Sequence, residues 1–130
     1  IARTVYVDRQ GEGTAFAWHT RRYKVNTDKV NPIYLYYYLA GSAGRSHMIS
    51  NSITTALTGI NTEAYFSCPI KLPSIKEQTA IATTLSDMDN EIQTLEQRLA
   101  KTRQIKQGMM QELLTGRTRL PFDKESQQGS

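Results

Sequence analysis

The sequence predicts an α+β protein, in which a partial mixed α/β domain is followed by a long C-terminal coiled-coil helix. Two observations carry this. Residues 72–120 read as one uninterrupted helix, with no Pro and a single internal Gly, Gly108, between Ser74 and Gly116. The residues before them alternate short β-branched or aromatic runs with turn signals and one tyrosine-rich helical stretch.

The long helix has marked ends. Ser74 is the expected N-cap, with Glu77 three residues on completing a capping box. Thr115-Gly116 supplies a C-terminal glycine that takes the left-handed conformation, and Pro121 prevents re-entry. At 1.5 Å per residue the helix runs about 60 Å. A body made of the preceding 73 residues spans only roughly 25–30 Å, so half of the helix is expected to overhang it.

Its apolar residues describe a seam. Ile81, Leu85, Met88, Ile92, Leu95 and Leu99 step alternately by four and three, the spacing of a coiled coil rather than of a broad core-facing stripe. The register continues through Thr102 and Lys106 to Met109 and Leu113, with Ile105 beside it. The expected helix-packing set is Leu85, Met88, Ile92, Leu95, Leu99, Met109 and Leu113. Charge separates along the same helix: Asp87, Asp89, Glu91 and Glu96 precede Arg98, Lys101, Arg103 and Lys106. No opposite charges fall at i,i+3 or i,i+4 from Lys76 to Glu112, and an antiparallel partner of similar pattern sets acidic half against basic half. The plainer alternative is a solvated charged helix with a core-facing stripe.

In the first 73 residues, 3–8 and 14–25 are expected strands, separated by the turn at 9–13. On the second, His19, Arg21 and Tyr23 share one face and Trp18, Arg22 and Lys24 the other, placing cations beside an aromatic on either side. The same aromatics serve equally as packing residues with solvated arginines around them. Asn31-Pro32 caps and opens a helix whose run Tyr34, Leu35, Tyr37, Tyr38 and Leu39 has the spacing of core. The glycines at 41 and 44 are expected to loosen that helix and leave Arg45 and His47 on a flexible polar stretch. Residues 50–66, rich in hydroxyls and amides, suit contacts to phosphates and base edges through Thr54, Thr55 and Asn61. They also make good turns and caps, and Asn61 fits as the cap of a short helix over 62–66. A short strand at 67–73 is expected to lead into the long helix.

Composition narrows the function. Of the net +4, residues 1–73 carry all of it (eight basic, four acidic), residues 74–116 carry −1 (five and six) and the tail +1 (three and two). A basic body facing phosphates is one reading of that surplus, and plain solubility is the other. One cysteine, Cys68, offers no internal disulfide framework and fits a reducing cytoplasm. No apolar run reaches the roughly 20 residues of a membrane span, so no membrane partner is expected. His19, His47 and Cys68 have no metal-ligand spacing, and Gly11 and Gly13 lack the Lys-Ser/Thr ending of a phosphate loop. Neither a catalytic set nor a metal site is expected.

Residues 31–39 (NPIYLYYYL), 54–61 (TTALTGIN), 68–85 (CPIKLPSIKEQTAIATTL), the heptad stretch and 109–120 (MMQELLTGRTRL) together resemble the specificity subunits of type I restriction-modification systems. The resemblance covers about residues 25–120. It implies a non-catalytic subunit that reads half of a bipartite site on double-stranded DNA. Residues 1–73 are then the distal part of a target recognition domain, 74–116 the conserved helix that packs antiparallel as a spacer, and 117–130 a tail. The piece before the helix is about half a family recognition domain, and a start at Ile1 without Met is expected of a fragment or split half. The implied partners are modification (methyltransferase) subunits and the restriction subunit. Cofactors are expected only on those partners, as S-adenosylmethionine, ATP and Mg. The spacing of charges adds a homodimer through antiparallel helices. In the implied site Arg21, Arg22, Lys24 and Arg45 contact phosphates, with Thr54, Thr55 and Asn61 making polar contacts. The rival reading is a coiled-coil adaptor that binds a protein partner without reading DNA.

Overall fold

The computed structural model describes residues 3–15, 20–53, 59–60 and 62–122. Its chain divides into two compact units, Ile1–Asp87 and Met88–Ser130. Among the described residues the elements are four helices, α1 (Pro32–Ala40), α2 (Ser42–Ser50), α3 (Thr62–Phe66) and α4 (Ile75–Leu114), with a short 3-10 turn at Arg9–Gly11. The only strands among the described residues are β1 (Ser52–Ile53) and β2 (Gly59–Ile60), paired antiparallel with Ser52 opposite Ile60.

The fold is therefore helical, and the expected mixed α+β class is overturned. Residues 3–8 and 20–25 form no strand, and 68–74 is irregular. Strand propensity becomes a strand only where a second edge supplies the backbone hydrogen bonds, and a lone alternating run has none. Val5 and Val7 are accordingly exposed. The turn at 9–13 is present: Asp8 Oδ1 accepts from the amides of Gln10 (3.0 Å) and Gly11 (3.2 Å).

In the first unit the core is Leu35, Leu39 and Met48, with Tyr23, Val25, Val30, Tyr65, Cys68 and Ile70 packed round it. Asn31 starts α1 as its residue type predicts, its Oδ1 accepting from the amides of Ile33 (2.9 Å) and Tyr34 (3.1 Å) ahead of Pro32. Tyr34 is buried and its hydroxyl donates to Lys71 O at 2.6 Å, which ties α1 to the segment before α4. Tyr34 therefore belongs to the core, while Tyr36, Tyr37 and Tyr38 are half-buried.

The stretch after α1 is not loose. α2 is a regular helix, and its Gly44 is buried because a Cβ there would stand 2.6 Å from Leu39 Cα and 2.7 Å from Tyr38 O. The glycine read as a helix breaker instead permits a close turn of α2 over the end of α1. His47 Nε2 lies 3.1 Å from Ala64 O and links α2 to α3.

Gln78 anchors the base of α4. Gln78 is fully buried, donates through Nε2 to Lys29 O (3.0 Å) and Pro73 O (2.9 Å), and accepts from the Asn31 amide (2.9 Å). All three partners are backbone groups, so a hydrocarbon there would leave three polar groups short of a bond, at about 1–3 kcal/mol each. Ser74 Oγ accepts from the Glu77 amide at 3.2 Å, and α4 begins one residue later as the cap predicts.

In the second unit α4 ends at Leu114 and the chain turns at Gly116, whose φ of +73° is the left-handed conformation expected of it. Glu112 holds the returning segment: its carboxylate accepts from Arg117 Nη1 (2.9 Å) and Thr118 Oγ1 (3.2 Å), and its carbonyl from the Thr118 amide (3.0 Å).

Candidate functional site

The cationic residues expected to face a phosphate backbone lie on the first unit, and their backbone explains their display. Along 22–25 exposure alternates, with Tyr23 and Val25 half-buried against the core while Arg22 and Lys24 stand in solvent. The period-two spacing is visible only from Arg22 to Val25, without a strand, and Arg21, expected on the face of Tyr23, is exposed like Arg22. Arg21 Nη1 donates to Thr20 O at 3.3 Å, and the guanidinium lies 6.0 Å from the Tyr65 ring centroid. At that distance the ring face attracts the cation and limits its wandering.

Around Arg21 is an aromatic group that no sequence pattern assigned. Tyr23 packs edge-on to Tyr65 at 6.4 Å and tilted on Phe66 at 5.7 Å, and its hydroxyl donates to Tyr65 O. Burial pushes the Tyr23 hydroxyl up to about 12, with nearby Cys68 and Tyr65 adding to the rise. Phe66 is 65% exposed beside this cluster. Tyr65 and Phe66 are brought to Arg21 by α3, whose carbonyl at Ala64 is the one His47 meets. Only tertiary packing joins residues so far apart in the chain, and no local pattern announces it.

Arg45 is exposed on α2, fixed on a helix rather than on a flexible segment. Thr54, Thr55 and Asn61 lie outside the described residues, as do Trp18 and His19. Among the described residues no three His, Cys, Asp or Glu side chains come together as a metal set. No helix among them is long and apolar enough to cross a membrane.

A second candidate surface is the seam of α4. Met88, Ile92, Leu95, Leu99 and Met109 are each about half-exposed, and Leu85 and Leu113 are partly covered. Near the C-terminal end the seam opens into a shallow groove of about 360 Å³ lined by Ile105, Met109, Met110, Leu113 and Leu114 together with Thr102 and Lys106. A row of half-exposed apolar side chains at heptad spacing is a surface shaped to meet another helix.

Comparison with known proteins agrees with what these two surfaces suggest. The family model described as type I restriction modification DNA specificity domain matches residues 2–105, and the chain belongs to that family. The specificity subunit of the type I restriction enzyme MjaVIII from Methanocaldococcus jannaschii is 31% identical over 86 residues. That match takes in 66% of this chain and 20% of the relative, so the chain spans about a fifth of that relative's length. No solved structure matches the chain.

Proposed function

We propose that this chain is the DNA-reading and spacing part of a type I specificity subunit, contributing recognition of half of a bipartite site. The observation that carries the reading is the family match, which runs through the basic first unit and most of α4 without a break. Residues 1–73 are the distal part of a recognition domain, residues 74–116 the spacer helix, and residues 117–130 a tail. Arg21, Arg22, Lys24 and Arg45, all solvent-exposed, are the phosphate contacts. Thr54, Thr55 and Asn61 are polar DNA contacts. The subunit itself performs no chemistry; S-adenosylmethionine, ATP and Mg fall to the modification and restriction subunits that assemble on it.

The seam of α4 supports the second half of the reading, in which the helix packs antiparallel against another of its kind and fixes the distance between two readers. For this chain alone, that partner is a second copy.

Titration of fluorescent duplex DNA at several salt concentrations tests the first half. Each phosphate contact contributes a slope of about −0.9 in log K against log salt. Arg21→Ala with Arg22→Ala is expected to flatten the slope by roughly two and to weaken binding on any sequence. A salt-independent or absent affinity in the parent chain removes the DNA assignment and favours an adaptor.

A further inference from the structure

We infer that Phe66 stacks on a nucleobase lifted out of the duplex, at the edge of the surface where Arg21, Arg22 and Lys24 meet phosphates. This rests on the DNA reading proposed above and adds to its cations a residue that touches a base.

The ring stands in water although its neighbours do not. Phe66 closes α3, where Ala64 is buried and Tyr65 half-buried while Phe66 itself is 65% exposed. Among the described aromatic residues of the first unit it is the most exposed, ahead of Tyr6 at 46%. The tyrosines of α1 offer no comparable face, since Tyr34 is buried with its hydroxyl on Lys71 O and the next three in that run are half-covered. Covering the Phe66 ring removes apolar surface from water and stabilises whatever complex does so.

The ring is also braced. Tyr23 lies tilted against it with centroids 5.7 Å apart, and Tyr23 is packed on the core with its hydroxyl donating to Tyr65 O. A side chain held in advance loses little freedom when a second ring settles on it, which favours binding there.

Charge identifies what that second ring belongs to. Tyr65 joins the cluster to Arg21, whose guanidinium is 6.0 Å from its centroid, and Arg22 and Lys24 are exposed on the stretch that carries Tyr23. Glu63 is the one acidic side chain on α3, and residues 1–73 hold eight basic residues against four acidic. The occupant therefore brings a flat apolar face and negative charge together. A nucleotide is that combination, its phosphate held beside its base by the sugar, and every base has a π-face on which an aromatic ring can stack. An apolar protein surface would cover the ring and leave the three cations unanswered. Within an intact duplex the faces of each base are taken by its neighbours, so the base that meets Phe66 has left the stack. Leaving costs least where the base is already unpaired.

The test titrates the full chain, at several salt concentrations, into two fluorescent duplexes of one sequence, fully paired or carrying a single unpaired thymine. The parent chain is expected to bind the second at least about fivefold more tightly, the lower end of what one base stacked on an aromatic ring contributes. Phe66→Ala is expected to lose that preference while keeping the parent's salt slope, because stacking displaces no counterion, whereas Arg21→Ala flattens the slope by about 0.9 on both duplexes. Phe66→Leu, with apolar bulk and no π-face, is expected to behave as Phe66→Ala does. Phe66→Trp together with Trp18→Phe carries a single indole, expected to keep the preference and to lose fluorescence on the unpaired duplex. The urea midpoint of Phe66→Ala is expected to match the parent's, as for other exposed side chains. No preference in a parent chain that binds both duplexes overturns the inference, as does a preference that Phe66→Leu retains. A slope that Phe66→Ala flattens overturns it too, making Phe66 a support for Arg21, and a large fall in midpoint makes it a packing residue. A parent chain that binds neither duplex removes the DNA reading itself and this inference with it.

Discussion

Tyr23 is where the packing of the first unit meets the cationic surface. Its ring fills space between Tyr65, Phe66 and the core, and its hydroxyl donates to the Tyr65 carbonyl, while Arg21 two residues earlier lies over the Tyr65 ring. Burial raises the hydroxyl to about 12, from an ordinary value near 10 in the unfolded chain. A raised value means that the folded state keeps its proton while the unfolded state has begun to lose it. The linked stability is therefore complete below pH 10, and it is lost as pH rises through 12. Tyr34, raised by burial and then by Tyr38 and Glu77, acts in the same direction. Urea unfolding of the parent chain is expected to show stability falling between pH 10 and 12, and Tyr23→Phe to show a shallower fall. Parallel slopes in the two proteins refute the linkage.

At the scale of elements, the parts whose signals are local were legible and the parts that depend on a neighbour were not. Asn31-Pro32, Ser74 and Gly116 each carry their own capping chemistry, and the start of α1 and both ends of α4 fall where those residues dictate. The expected strands failed because pairing is not a property of one segment. Gly44 shows the same limit from the other side. In sequence it weakens a helix, yet in the fold it is the point where α2 can approach Leu39 and Tyr38. A methyl there meets backbone atoms at 2.6 Å and 2.7 Å, which cannot rotate away as a side chain could. Gly44→Ala would gain about 1 kcal/mol of helix propensity in an open helix. Here it is expected to destabilise the chain by about 1–3 kcal/mol, as overpacking does, lowering its urea midpoint. Gly108 is the control, for a Cβ there meets nothing within 4 Å and Gly108→Ala gains its propensity without a clash. Of the candidate site, Arg21, Arg22, Lys24 and Arg45 were readable as exposed cations. Their aromatic companions Tyr65 and Phe66 were hidden by more than forty residues of intervening chain.

At the scale of the whole molecule, the residues of α4 that its own fold buries and those exposed for the proposed pairing separate along its length. Gln78 and Ala82 are buried within the chain, whereas Ile92 is 53% exposed. A lysine at 92 therefore meets solvent in the isolated chain, where the exchange of Ile for Lys changes helix propensity by only a few tenths of a kcal/mol. In a paired seam the same lysine is enclosed against another helix, and an ionised group without a partner in such a place costs about 3–5 kcal/mol, or roughly a hundredfold to a few thousandfold in affinity. Ile92→Lys is thus expected to leave helicity and the urea midpoint of the dilute chain unchanged, while abolishing self-association and copurification with a modification subunit. Circular dichroism, sedimentation and affinity capture of the two proteins measure the three quantities on one preparation. A midpoint that falls with the substitution would mean that the seam already packs on its own chain; an unchanged association would mean that α4 pairs by another face.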